Sequence, residues 1–225
     1  MTNLLTRWLG LIGFILGGSA VIISGWHQAI SPFEDWPAFD TPLSRLITCY
    51  SYFTLWSNII GAIVCLLFAF GFGTNTATWA KVLRIDAAMM LIVTGLIYNT
   101  LLAGGPLLGI YRYTNPVEHI IMPILLPILW LISMRERSEK DIHIGTIFKA
   151  LIIPFIWCVY TYIRGAVTGG FYPYFFLDVS NLGYVRAIAN TLGVYVLFFV
   201  LIGILAIIEG LITKAVTKDK ALAKV

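Results

Sequence analysis

The chain has 225 residues, 59% hydrophobic and 12% charged, with a formal net charge of +4 and a mean hydropathy of +0.89. A soluble domain carries roughly a quarter charged residues, so an ordinary soluble enzyme or binding module is excluded. The basic residues are not gathered with exposed aromatics on one face, so the pI of about 9.0 does not point to nucleic acid.

Apolar runs of about 20 residues recur between short polar breaks, the length a helix needs to cross a bilayer. The runs are too long and too unalternating for barrel strands. The expected fold is an all-α integral membrane protein, one domain of six helices spanning about 7–29, 46–70, 82–103, 117–133, 147–167 and 184–212, with a short basic tail from about 213. Arg7, Lys81, Arg84, Arg135, Arg137, Lys140, Lys149 and the tail lysines fall on the side of the termini, against Arg45, Arg112, Arg164 and Arg186 on the other. The positive-inside rule then makes both termini cytoplasmic, in a multi-pass protein of the cell membrane. No repeat of fixed period is visible, which disfavours a transporter built from evident internal repeats.

The first span begins after Arg7 and runs through Trp26 without a small-residue cleavage site, so it reads as a retained anchor. Its Gly13 and Gly17 form a GxxxG, which predicts close helix packing. His27 follows at the outer interface, and the next loop offers Glu34, Asp35 and Asp40 as a lid or a cap. In the second span Tyr50, Thr54, Ser57, Asn58 and Gly61 share one stripe at helical spacing, with Phe53, Trp56 and Ile60 opposite. Such a stripe either admits a close neighbour or lines a polar cavity. The third span brings Thr94, Gly95, Tyr98 and Asn99 to its outer half.

The fourth span opens Asn115-Pro-Val-Glu-His119, followed by Pro123. Pro123 has no N–H, so the His119 carbonyl loses its helical partner and the helix is expected to kink. Asn115, one turn before, is placed to reach the His119 ring and fix its tautomer. The connector from Arg135 to Asp141 reads as a solvated segment of mixed charge. Arg164 and Asp178 are expected to pair at the pocket mouth, beside the aromatic loop that holds Tyr172. Glu209 lies near the cytoplasmic end. Polar groups thus collect in the outer half, with almost none paired in the inner half, a distribution that favours a pocket over a conduit.

Tyr52-Phe-Thr54-Leu-Trp-Ser-Asn58, Asn115-x-x-x-His119 with Pro123, and Gly170-Phe-Tyr172-Pro173 together resemble the androgen-induced and androgen-dependent membrane hydrolase family with its bacterial six-span relatives. After Thr54 the chain carries Trp-Ser-Asn where the eukaryotic members have a hydrophobic residue before Asn. The resemblance implies hydrolysis of fatty acyl esters in a bacterial cytoplasmic membrane, with Thr54 as nucleophile and His119 as base. Asn58, Tyr98, Asn99, Asn115 and Ser57 are then the pocket and oxyanion candidates, and no metal or cofactor is implied.

Two other readings stay open. The same pocket would serve a non-catalytic lipid or small-molecule binding protein or transporter, and His27 with His119 would serve as haem or metal ligands. Cys49, Cys65 and Cys158 show neither paired nor zinc-type spacing. One geometric demand follows from the span limits. Thr54 lies about 12 Å into its helix and His119 about 5 Å into its own, so tilt, the kink or a recessed loop must close the gap.

Overall fold

A computed structural model describes residues 4–32, 38–137 and 139–222. Glu34 and Asp35 therefore lie outside the described residues. The described chain is all helical: α1 (Leu4–Ile30), α2 (Pro42–Cys49), α3 (Phe53–Ala69), α4 (Thr78–Ile97), α5 (Tyr111–Pro116), α6 (Met122–Ser133), α7 (Ile144–Ala150), α8 (Ile152–Val167) and α9 (Val179–Leu222). A π turn over Tyr98–Leu102 extends α4, and another over Val117–Ile121 joins α5 to α6. By length and composition five helical stretches can cross a membrane, or six if α2 and α3, bent by 75°, count as one broken span. The chain is thus a multi-pass membrane protein.

The bend is the main departure from the expected second span. Thr41 caps α2, exchanging hydrogen bonds with Ser44, and Pro42 fits the first turn. The helix stops at Cys49 and restarts at Phe53, leaving carbonyls at Tyr50 and Ser51 without helical partners. Two indoles take them: Trp56 Nε1 donates to Tyr50 O at 2.8 Å and Trp157 Nε1 to Ser51 O at 2.9 Å. Within a bilayer such exposed backbone survives only when protein satisfies it. Tyr50 consequently leaves the stripe, and its hydroxyl donates to Val21 O instead. Phe53 is buried, in edge contact with Trp157 and Phe198.

Small residues set the α1–α3 spacing. A Cβ added at Gly10 would sit 2.6 Å from the Cys65 carbonyl oxygen, and one at Gly13 2.6 Å from Cys65 Sγ. Gly17 meets Met122 of α6 in the same way, so the glycine ridge works as packing, as the GxxxG predicted. All three cysteines are buried and free. α9 extends to Leu222, past the expected end of the last span, with a left-handed break at Gly183.

The end of the bundle away from the His119 region corrects a second expectation, because it holds a dense ionic cluster. Arg84 lies inside α4, buried, and makes two 2.8 Å bonds to Asp141. Trp130 Nε1 donates to Asp141 at 2.9 Å, and Arg137 pairs with the same carboxylate. Glu209 of α9 accepts the backbone N–H groups of Asp141 and Ile142 at 2.7 and 2.9 Å. The connector folds inward because the buried charges of Arg84 on α4 and Glu209 on α9 need counter-charges and donors. Arg135, Glu139 and Lys140 keep the expected surface character, and Glu139 pairs with Lys81 at 2.6 Å.

Burial pushes the Asp141 carboxyl up, but the hydrogen bond from Arg84 and the charges of Arg137 and Arg84 outweigh it and hold it below the usual carboxylate range. A depressed folded pKa gives stability that is complete above the unfolded value, about 3.9, and is lost as pH falls through the folded one. Asp141→Ala removes the shared partner of two buried guanidinium groups and is expected to cost about 3–5 kcal/mol. Thermal melts of purified protein check this. The variant should melt well below wild type at neutral pH, with the difference shrinking in acid.

Candidate functional site

The site is built where α3 begins. Because the helix restarts at Phe53, Thr54 sits in its first turn rather than two turns deep, and this closes the expected gap to His119. Thr54 Oγ1 lies 3.4 Å from His119 Nε2. That exceeds the roughly 2.6–3.2 Å of a formed bond, as is common before substrate tightens a site. Both side chains are buried.

His119 is oriented from three sides. Its Nδ1 faces the Asn115 carbonyl at 3.1 Å, so Nδ1–H donates there and Nε2 is left as the acceptor facing Thr54. The Tyr98 ring stacks on the imidazole with centroids 3.6 Å apart. Asn115 therefore reaches the ring as expected, through its backbone carbonyl, while its amide bonds the Tyr98 hydroxyl. Tyr98 and Asn115 thus hold the imidazole between them.

The helix carrying His119 is broken in a way the proline only half announced. Pro123 leaves the His119 carbonyl unpaired, as expected, and the Asn99 amide takes it at 2.9 Å while also bonding Gly95 O at 2.8 Å. The π turn moves the Met122 N–H onto Val117 O, which orphans the Glu118 carbonyl as well. The Asn58 amide takes that one at 3.1 Å and Thr54 O at 2.9 Å. Asn58 and Asn99 therefore brace backbone, each amide donating to two carbonyls. Ser57 donates to Thr54 O and pairs with Thr94 at 2.8 Å, another α3–α4 tie.

Beside Thr54 opens a small cavity walled mainly by apolar side chains. Thr54, Thr94, Tyr98 and Tyr174 give its wall polar points, and most of the rest is apolar, Val93, Ile97, Trp157 and Phe198 among it. His119 stands behind Thr54, outside the wall.

Sequence reasoning missed three residues here. Tyr174, in the loop before α9, puts its hydroxyl 3.3 Å from Thr54 N and 3.4 Å from Thr54 Oγ1. Glu118 is buried and accepts from Ser24 at 2.7 Å, and its place next to His119 was the available signal. Trp157, which closes the α2–α3 break, carries no local signal. Arg164 and Asp178 do not pair. Arg164 donates to Thr48 at 2.7 Å and lies over the rings of Phe39 and Phe171, while Asp178 caps α9 by accepting from Ser180 N at 2.8 Å. Tyr172 packs on Gly165, where an added Cβ would come within 2.2 Å of its ring. His27 meets the edge of Tyr111. Among the described residues no three His, Cys, Asp or Glu side chains converge as a metal group.

No family model matches the chain, and no solved structure matches it significantly. Over 193 residues it is 25% identical to the MFS-type transporter dmxR4 of Cryptosporiopsis sp. (strain 8999), an alignment covering 84% of this chain. The chain spans only 28% of the length of that relative, and likeness of this extent assigns no family.

Proposed function

We propose that the chain is an intramembrane hydrolase of fatty acyl esters, a six-span protein of the bacterial cytoplasmic membrane with both termini cytoplasmic. The Lys/Arg distribution supports the orientation. The observation that carries the activity is the Thr54 hydroxyl facing an imidazole nitrogen freed to accept its proton, at the wall of an apolar cavity. Thr54 Oγ attacks the ester carbonyl carbon as its proton passes to His119 Nε2. The tetrahedral intermediate collapses, the ester C–O bond breaks, and the leaving alkoxide takes that proton from His119. An acyl-threonine remains, and water activated by His119 releases the fatty acid and restores the hydroxyl.

The test is turnover of a panel of long-chain esters by the detergent-purified protein, with acid-quenched reactions digested for mass spectrometry. The expected result is hydrolysis, with the acyl mass on the peptide that contains Thr54. The apolar cavity and the transporter likeness favour a second reading, lipid or small-molecule binding or transport without chemistry. Saturable ligand binding with neither turnover nor acylation would establish that reading over the hydrolase.

A further inference from the structure

Resting on the hydrolase reading, we infer that the Tyr174 hydroxyl and the backbone N–H of Thr54 form the oxyanion site of the reaction. The amides expected for this task are occupied, Asn58 on the Thr54 and Glu118 carbonyls and Asn99 on the Gly95 and His119 carbonyls. Tyr174 is placed where they are not. Its hydroxyl touches both the nucleophilic oxygen and the N–H of the same residue, at 3.4 and 3.3 Å. An ester carbon bonded to Thr54 Oγ1 would hold its oxyanion two bonds from that oxygen, inside the reach of both donors.

The α2–α3 break explains why the N–H is available. Thr54 stands in the first turn of a 17-residue helix, where backbone N–H groups have no intrahelical partner and the helix end is electropositive. In the resting state Tyr174 occupies that N–H through a long bond that costs little to exchange. As Thr54 Oγ bonds the carbonyl carbon, the C=O electron pair moves to oxygen, and the Tyr174 O–H and Thr54 N–H turn to it. Collapse returns the pair to the carbonyl and releases both donors. The ring cannot swing away freely, being stacked on Phe176 with centroids 5.3 Å apart and edged by Tyr52 at 5.7 Å.

Tyr174→Phe keeps the ring and its stacking and removes only the hydroxyl. Its kcat on long-chain esters is expected to fall about 10²–10³-fold with KM nearly unchanged, the pattern of a contact made in the transition state. A long-chain trifluoromethyl ketone, which forms an oxyanion-bearing adduct with the nucleophile, should lose inhibition in parallel, while the product fatty acid binds as before. Wild-type kcat and ketone inhibition in Tyr174→Phe, alongside an active wild type and an inactive Thr54→Ala, would overturn the Tyr174 assignment alone. Absence of ester cleavage by wild type would overturn the hydrolase reading and this inference with it. An equal loss of fatty acid binding and kcat would mark Tyr174 as a wall residue and also overturn the assignment.

Discussion

Thr54→Ala is expected to remove ester turnover, a fall of about 10⁴–10⁶-fold in kcat, the range seen when a hydroxyl nucleophile is deleted. Alanine leaves no oxygen to form the acyl-enzyme, so the acyl mass on the Thr54 peptide should vanish together with turnover. The fold should survive. Among the described residues the Thr54 side chain bonds His119 and Tyr174, while the braces that join α3 to α4 and to the π turn run through its carbonyl and through Asn58 and Ser57. Thermal melting close to wild type with no turnover is the expected pair of results. Turnover retained in Thr54→Ala would remove the nucleophile assignment.

His119→Ala is expected to cost about 10²–10⁴-fold, less than loss of the nucleophile, because the oxyanion donors and the cavity remain. Without the base the threonine hydroxyl must lose its proton to water, and the leaving alkoxide has no acid to meet it. The deleted ring leaves space beneath Tyr98, so added imidazole should restore part of the rate. Rescue, measured as turnover against imidazole concentration, distinguishes a lost base from a disturbed fold, since a collapsed site gains nothing from the additive. Acylation without hydrolysis in this variant would instead confine His119 to the second half-reaction.

What the sequence made legible here is local chemistry. The apolar runs marked the helical stretches, though the second is broken at Tyr50–Tyr52 and the last runs on to Leu222. Pro123 announced the unpaired carbonyl of His119, because a missing N–H is a property of one residue. The Thr54–Ser57–Asn58–Gly61 stripe held because those residues share one unbroken helix. What failed depended on distant partners. Tyr50 and Ser51 are not helix breakers by composition, and the bend is supported by Trp56 and Trp157, whose indole N–H groups donate to the carbonyls it exposes. Arg84 and Asp141 are far apart in sequence, so nothing local shows that a connector turns inward to meet a helix. Arg164 and Asp178 were paired by proximity and opposite charge, yet Thr48 and the N-terminus of α9 gave each a better-placed partner. Tyr174 was hidden among aromatics that read equally well as an interfacial belt.

The two asparagine braces have a consequence for when the protein becomes competent. Consecutive carbonyls at Glu118 and His119 are satisfied by α3 and α4 rather than by their own helix. The segment bearing the imidazole therefore draws its hydrogen bonding from neighbours that reach the bilayer earlier in synthesis. Until those helices dock, nothing fixes the ring toward the hydroxyl, and an incompletely assembled chain carries both reactive groups without their alignment. On the hydrolase proposal, competence is in this sense a property of assembly, and the nascent chain is chemically silent toward the lipids around it until the bundle closes.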